Sequence, residues 1–286
     1  MNKSLKNSVI PFIIFVVPTL AAFCLGFVYP FIQGLYLSFC QFTTINNANF
    51  VGITNYKYLL TDTNFHSAFW YTVQFTLATT VTINIIAFII ALILTKGMKG
   101  TNIFRTIFFM PNLIGGIVLG YIWKILIDGL LILMGQPLLA LNPTAGFIGL
   151  LVLMSWQQIG YMMIIYIAGL QNVSRELIEA SEIDGANGWQ TLFKVKIPMV
   201  MSSITICVFL TLTYSFKLFD QNLALTNGEP NSSTELLALN IYKTFYARTG
   251  AHWRGIGQAK AVVFFVVVAV LALIQLGVTR SREVQS

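Results

Sequence analysis

Charge is scarce in this sequence. Only 9% of its 286 residues are Asp, Glu, Lys or Arg, whereas a soluble domain carries about 25%. Apolar residues make up 56% of the chain and the mean hydropathy is +0.76, so the apolar surface exceeds what a soluble fold of this length can bury. The sequence therefore predicts a membrane protein that crosses the bilayer several times.

Cysteine and histidine are also scarce. Cys24, Cys40 and Cys207 are widely spaced and form no Cys-x-x-Cys pair, so they indicate neither a disulfide framework nor a metal site. Cys24 and Cys207 lie in apolar runs, where a cysteine commonly serves as a small apolar residue. His66 and His252 are the two histidines, and we interpret both as surface or interface residues rather than ligands.

Motifs for catalysis and nucleotide binding are absent. The sequence has no Gly-x-x-x-x-Gly-Lys-(Ser/Thr) loop to hold nucleotide phosphates, and no His-Glu-x-x-His or Gly-x-Ser-x-Gly motif. No Asp or Glu lies at the centre of a predicted span, so a proton or cation relay has no obvious carrier. We therefore expect no catalytic residue, no metal ligand and no cofactor bound by this chain.

Long apolar runs predict six membrane-spanning helices. A helix needs about 20 residues to cross the hydrocarbon core of a bilayer. We interpret residues 128–145 as an interfacial or re-entrant piece, because Gly and Pro interrupt this apolar segment. The chain is expected to form a single transmembrane domain over residues 1–286, with spans at about 9–39, 69–95, 103–127, 147–170, 197–219 and 261–278.

Lysine and arginine are distributed unevenly between the connecting loops. The side of the N-terminus carries ten of them, the opposite side four, and three lie at span ends. Because positively charged loops tend to stay in the cytoplasm, we expect both termini and the loop after the fourth span to be cytoplasmic. The net charge of +7 does not indicate a nucleic-acid partner, since no basic cluster is interleaved with aromatic residues.

The loop at residues 174–198, called the polar loop below, is rich in acids. Ser174 is a suitable N-cap, and Glu176 lies in the first turn, where the helix dipole favours a negative charge. Gly185 can end this helix in a left-handed conformation, and Pro198 suits the first turn of the next span. The pattern predicts two short helices that meet at a glycine corner along the membrane surface. A solvated connector without a partner would show the same pattern.

The polar loop also carries a family motif. Glu179-Ala180-Ser181, then Gly185, then Val195-Lys196-Ile197-Pro198 resembles the E-A-A…G…I-x-L-P loop of ABC importer permeases. These are the membrane subunits of binding-protein-dependent uptake systems. The longer run 176–186 is similar to the carbohydrate-uptake branch of that family, of the maltose and multiple-sugar type. The departures are small-for-small or apolar-for-apolar exchanges, namely Ser181, Val195 and Ile197.

The resemblance extends over nearly the whole chain. In the outer-loop motif that usually reads T-x-G-G-P, Glu229 stands in place of the second glycine. Other segments similar to the family are Tyr29-Pro30, Leu37-Ser38-Phe39, Phe50-Val51-Gly52, Asn55-Tyr56, Phe104-Arg105, Met110-Pro111, Trp123 and the run from Thr226 to Pro230.

The resemblance implies a type I ABC importer permease fold, all-α with six transmembrane helices and a cytoplasmic coupling helix, in the cytoplasmic membrane of a bacterium. The implied partners are a second homologous permease, two ATPase subunits that carry ATP-Mg, and an extracytoplasmic sugar-binding protein. Glu179 would pair with a cation of the ATPase, and Gly185 would shape the corner. The coupling residues implied in this way are Glu179, Ala180, Ser181, Asp184, Gly185 and Pro198.

Neutral polar side chains gather on the fourth and fifth predicted spans. Hydrogen-bonding groups beside aromatic rings suit an uncharged, polyhydroxylated solute, because they replace water at its hydroxyls while a ring stacks on its apolar face. The same side chains could instead bond neighbouring helices, which is common in membrane bundles. The candidate substrate-path residues are Gln157, Gln158 and Tyr161 on the fourth span and Thr211, Tyr214 and Ser215 on the fifth.

These observations predict a non-catalytic permease subunit of an ATP-driven importer, with an oligosaccharide as the expected solute. A permease for another small polar solute, such as a glycerol-phosphate ester, is the first alternative. A secondary transporter is a further alternative, although it should carry ion-coupling carboxylates in its spans. An intramembrane enzyme is disfavoured because no nucleophile and base can be paired.

Overall fold

The computed structural model describes residues 12–97 and 99–280. Outside the described residues lie residues 9–11 of the first predicted span and three cations counted for the orientation, Lys3, Lys6 and Arg282.

Helices dominate the described residues, as predicted for an all-α membrane protein, and a small two-stranded hairpin accompanies them. In chain order the elements are α1 (Phe12–Leu37), β1 (Cys40–Thr44), β2 (Asn47–Phe50), α2 (Thr54–Thr61), α3 (Thr63–Leu94), α4 (Thr101–Phe109), α5 (Gly116–Leu133), α6 (Pro143–Gln171), α7 (Arg175–Ile183), α8 (Gly188–Met199), α9 (Met201–Phe216), α10 (Asp220–Leu225), α11 (Leu237–Tyr242) and α12 (Ala251–Arg280).

Five of these helices, α1, α3, α5, α6 and α12, are long and apolar enough to cross a membrane. Helices α8 and α9 meet the same criterion together, but their axes differ by 72° at a short break. The described residues therefore hold up to six spans, the sixth being a bent pair rather than one straight helix.

The first compact unit combines residues 12–62 with Ile241–Phe265. Strands β1 and β2 pair antiparallel in it. The buried amide of Asn55 donates to the carbonyl oxygens of Ser38 and Cys40, both at 2.9 Å. These bonds attach α2 to the hairpin.

The same unit contains a buried ion pair. The Lys260 ammonium lies 2.8 Å from the Asp62 carboxylate, and the two side chains are 1% and 6% exposed. The ammonium also donates to the Thr244 hydroxyl at 2.9 Å. Charges this deep are tolerated when they are paired and hydrogen-bonded.

The second unit comprises Thr63–Asn240 and the described part of 266–286, and its core lies among α3, α6 and α9. Ala87 and Ala91 on α3 are fully buried, and small residues of this kind let membrane helices approach closely. Polar side chains also bond across the helices, for example Tyr166, whose hydroxyl donates to the Asn84 carbonyl at 2.7 Å.

The predicted third span, residues 103–127, is wrong as one continuous helix. Helix α4 ends at Phe109, a 3₁₀ turn covers Met110–Leu113, and α5 begins at Gly116. Pro111 has no N–H to donate, and Gly115 has an extended conformation with φ −60° and ψ 139°. These two residues interrupt the helix, and the apolar helix that follows runs to Leu133.

The predicted fifth span, residues 197–219, is also wrong in its limits. Residues 197–199 continue α8, the chain bends at Val200, and α9 covers Met201–Phe216. Pro198 therefore lies in the last turn of α8 instead of the first turn of a new span. Its missing N–H weakens the helix at this point.

The last helix begins ten residues before the predicted span 261–278, at Ala251. Lys260 is one of the three cations predicted at span ends. It lies inside this helix instead, where its charge is paired with Asp62. Much of the expected outer loop before it is helical as well, in α10 and α11.

The segment 128–145 contains no further span. Helix α5 covers its beginning, Leu139–Leu141 forms a 3₁₀ turn, and α6 starts at Pro143. Asn142 caps α6 by accepting a hydrogen bond from the Ala145 N–H at 3.1 Å. The prediction of a single permease domain over the whole chain stays a prediction.

Candidate functional site

The polar loop contains the two short helices that its sequence predicts, α7 and α8. Helix α7 ends at Ile183 with Asp184 as its C-cap, and Gly185, the next residue, terminates it with a φ of +77°. The Gly185 N–H donates to the Glu182 carbonyl at 3.0 Å, and the Ala186 N–H donates to the Ser181 carbonyl at 2.9 Å. This is a Schellman ending, so the predicted helix end at Gly185 is confirmed.

Helix α8 begins at Asn187-Gly188, a dipeptide typical of turns, and its start is fixed by a capping box. The Asn187 side chain accepts from the Gln190 N–H at 2.9 Å, and the Gln190 side chain accepts from the Asn187 N–H at 2.8 Å. Ser174 does occupy the N-cap of α7, but its side chain makes no capping hydrogen bond.

Ser181 connects the two short helices. Its hydroxyl donates to the Ile178 carbonyl at 2.7 Å and lies 3.2 Å from the Thr191 hydroxyl. Beside it is a cavity of about 370 Å³, called the notch, on the inside of the corner. The notch is lined by Ser181, Asp184, Gly185, Ala186, Gln190, Lys194 and Val195.

Large apolar side chains are exposed on the polar loop. Ile183 is 86% exposed, and Trp189 and Phe193 are 72% and 59% exposed while their rings stack at 6.0 Å. Glu179 and Ala180 are exposed on α7, and the Glu179 carboxylate makes no hydrogen bond or ion pair to any residue that the structure describes. Exposed apolar groups beside acids are typical of a surface that contacts another protein.

The predicted coupling residues do not form one cluster. Ser181, Asp184 and Gly185 line the notch. Glu179 and Ala180 are exposed on α7, and Pro198 lies at the far end of α8. Their coupling role stays a prediction.

A second cavity, of about 340 Å³, lies where α6 and α9 meet α10, and we call it the α6–α9 cavity. Gln158 and Tyr214, predicted on two different spans, both line it. A charge of each sign, from Lys217 and Asp220, lies at its wall. The complete lining is Met154, Gln158, Tyr214, Lys217, Leu218, Phe219, Asp220 and Gln221.

Thr211 and Ser215 have a different environment from Tyr214. Both are fully buried. Thr211 accepts from the Asn84 side chain at 3.1 Å, and Ser215 accepts from the Thr79 hydroxyl at 2.8 Å. The three candidates on the fifth span are therefore divided: Thr211 and Ser215 hold α9 against α3, and Tyr214 is exposed in the cavity.

Gln157 and Tyr161 also lie outside the cavity lining. Gln157 is 5% exposed; it donates to the Ile114 carbonyl at 3.1 Å and accepts from the Gln221 side chain at 2.6 Å. The Tyr161 ring packs against Phe109 at 6.4 Å. Of the six predicted residues, only Gln158 and Tyr214 are available in this structure to a solute in the cavity.

Asn112 and Gln221 were not among the residues predicted for the substrate path. Asn112 donates to the Gln158 carbonyl at 3.3 Å, and Gln221 lines the cavity from α10. One signal was available for the second residue, since Gly116 and Gly120 form a Gly-x-x-x-Gly motif that favours close packing in membranes. A Cβ atom at Gly120 would lie 2.5 Å from the Ala224 Cβ, so α10 packs directly on this motif.

The chain is similar to known transport proteins over nearly its whole length. Residues 83–282 match the family described as binding-protein-dependent transport system inner membrane component. A probable starch degradation products transport system permease of Thermoanaerobacterium thermosulfurigenes is 40% identical, over 99% of this chain and 98% of the relative. A multiple sugar-binding transport system permease of Streptococcus mutans is 32% identical, over 90% of this chain and 91% of the relative.

The fold is also similar to a solved structure. A chain of a bacterial alginate ABC transporter, in complex with a periplasmic protein bound to an alginate pentasaccharide, superposes with a TM-score of 0.81. The match covers 98% of this chain and 96% of the other at 19% identity. The two chains share the transporter fold.

Proposed function

The chain belongs to the binding-protein-dependent transport system inner membrane components, and from this membership we propose that it imports an oligosaccharide. It is a multi-pass membrane protein and a permease of that family. Two of its relatives are permeases of a starch degradation products transport system and of a multiple sugar-binding transport system. A maltodextrin is therefore the first solute to test.

The observation that carries this proposal is the α6–α9 cavity. It brings the Gln158 amide and the Tyr214 ring to one wall, although they come from different spans. Its volume of about 340 Å³ falls within the range of roughly 300–1,000 Å³ that is usual for small-molecule sites. Amides can exchange hydrogen bonds with sugar hydroxyls, and an aromatic ring can stack on the apolar face of a pyranose.

The proposed partners are two ATPase subunits with ATP-Mg, a second homologous permease and an extracytoplasmic sugar-binding protein. The acids and exposed apolar side chains of the polar loop support contact with the ATPase. The absence of a phosphate-binding motif in the sequence supports a separate source of ATP hydrolysis. The proposed orientation has both termini and the polar loop in the cytoplasm, which the distribution of Lys and Arg supports.

The test of this function is reconstitution. The chain is purified with its co-expressed partners, placed in proteoliposomes and supplied with labelled maltodextrins and other sugars. We expect co-purification of an ATPase and uptake that requires both ATP and the binding protein. Uptake by the chain without an ATPase would support a secondary transporter instead. Uptake of glycerol-phosphate esters but of no sugar would overturn the substrate class.

Alanine substitutions at Tyr214 and Gln158 are expected to weaken maltodextrin binding to the purified transporter. Loss of one hydrogen bond costs about 0.5–1.5 kcal/mol, so each dissociation constant should rise by roughly 2- to 10-fold. Isothermal titration calorimetry on the nucleotide-free complex measures this change.

Tyr121→Ala is the matched control for Tyr214→Ala. Tyr121 is 57% exposed on α5 and does not line the cavity, so its loss should leave binding unchanged. An unchanged dissociation constant in both Tyr214→Ala and Gln158→Ala would remove the cavity from the solute path.

A further inference from the structure

We propose that Gln157 is a positioning residue for the solute site. Its side chain is hydrogen-bonded both to the cavity-lining Gln221 and to the segment between α4 and α5, where the predicted third span is interrupted. The inference rests on the proposed function of the α6–α9 cavity, which it extends from the wall residues to the residue that orients one of them.

The side chain of Gln157 bonds in two directions. Its Nε2 donates to the backbone carbonyl of Ile114 at 3.1 Å, and its Oε1 accepts from the Nε2 of Gln221 at 2.6 Å. Ile114 lies in the break between α4 and α5, where a carbonyl has no helical partner. The amide of Gln157 therefore connects the segment between α4 and α5 to Gln221 in the cavity wall.

The neighbouring glutamine makes a parallel connection. Gln158 lines the cavity, and its Oε1 accepts from the Asn112 amide at 3.3 Å. Asn112 belongs to the 3₁₀ turn of the same break. Gln158 is thus bonded directly to the segment between α4 and α5. Gln221 is bonded to the same segment through Gln157.

Close packing limits where the Gln221 side chain can lie. A Cβ atom at Gly116 would be 2.8 Å from the Cδ and Nε2 of Gln221 and 2.9 Å from the Cβ of Asp220. Only glycine fits at that position without moving the amide. The Gln221 amide is therefore placed between the backbone at Gly116 and the carbonyl of Gln157.

This arrangement explains how the bridge would act on a solute. A glutamine amide has two N–H donors and one carbonyl acceptor, and the bond to Gln157 uses one donor of Gln221. The remaining donor and acceptor then have a fixed direction relative to the cavity. A sugar hydroxyl that binds to an amide already oriented loses less entropy on binding than one that must order it.

Two variants test the bridge from opposite sides. Gln157→Leu removes both of its hydrogen bonds, and Gly116→Ala crowds the Gln221 amide and the neighbouring Asp220 Cβ while the Gln157 side chain is unchanged. We expect each to raise the dissociation constant for a maltodextrin roughly 5-fold or more, as for a lost buried hydrogen bond. Gly129→Ala is the control, because Gly129 lies on α5 with Gly116 and a Cβ there meets nothing within 4 Å. The Gly129→Ala transporter should bind the maltodextrin as tightly as the unaltered transporter.

A double-mutant cycle separates positioning from a general loss of stability. If Gln157 acts through Gln221, the combination of Gln157→Leu and Gln221→Leu should bind no more weakly than the weaker single variant. The combination of Gln157→Leu with Tyr214→Ala should show the product of the two single effects. Thermal unfolding of each variant, followed in detergent, shows whether the binding changes follow stability.

The outcomes distinguish this inference from the function on which it rests. If Tyr214→Ala weakens binding but Gln157→Leu and Gly116→Ala do not, the bridge is overturned and the cavity remains. If the effects of Gln157→Leu and Gln221→Leu multiply, Gln157 does not act through Gln221. If every variant binds normally, both the bridge and the solute cavity are overturned. If the Gln157→Leu transporter does not assemble, the dissociation constant measured for Gly116→Ala tests the bridge.

Discussion

The variant Glu179→Arg is expected to abolish sugar uptake while the protein still reaches the membrane. The Glu179 side chain is exposed on α7 and makes no bond to any residue that the structure describes, so reversing its charge should leave the fold intact. If its carboxylate pairs with a cation of the ATPase, the variant places two like charges against each other. Removing one partner of a buried interfacial charge pair costs about 2–5 kcal/mol, which corresponds to a loss of affinity of roughly 30-fold or more.

Two measurements check this result: the amount of ATPase that co-purifies with the permease, and ATP-dependent uptake of a labelled maltodextrin. Glu182→Arg is the control because Glu182 is also exposed on α7 and changes the charge by the same amount. We expect Glu182→Arg to retain most of the uptake. Normal uptake by a correctly inserted Glu179→Arg protein, or equal losses in both variants, would contradict a specific pairing at Glu179.

The second large effect is expected at the buried ion pair. Lys260→Met leaves the Asp62 carboxylate buried without its cation and removes the bond to Thr244. Removing one partner of a buried pair costs about 3–5 kcal/mol. We therefore expect a clear fall in the thermal unfolding temperature of the purified protein, measured in detergent.

The double variant with Asp62→Leu and Lys260→Met should recover most of this loss, because replacing both charges by apolar groups leaves no uncompensated charge. Lys57→Met is the control in the same unit, since Lys57 is exposed on α2. A Lys260→Met protein that unfolds at the temperature of the Lys57→Met protein would show that the pair contributes little.

Local features of the fold were predictable from the sequence. The apolar runs indicated the long helices, and Gly185 marked the end of α7 because a left-handed ending needs glycine. Pro111 was a visible signal for the break in the third span, yet the apolar residues on both sides of it favoured one continuous span. The bend before α9 was missed for a related reason, since Pro198 suits the beginning of a helix as well as a weak last turn.

Features that depend on distant partners could not be predicted. The pairing of Lys260 inside α12 could not be predicted, because its partner Asp62 is nearly 200 positions away in the chain. Spacing placed Thr211, Tyr214 and Ser215 on one side of a helix, but the contacts of α3 decide which of them is buried. Gln157 and Gln158 are adjacent in sequence and have different roles, which only the positions of Ile114 and Gln221 reveal.

The 72° angle between α8 and α9 has a mechanical consequence. A force applied along the axis of α8 acts mostly across the axis of α9, with only a minor component parallel to it. If a partner pushed on α8 along its axis, α9 would therefore tilt sideways instead of moving along its own axis. Such a tilt would require no translation of α9 through the bilayer.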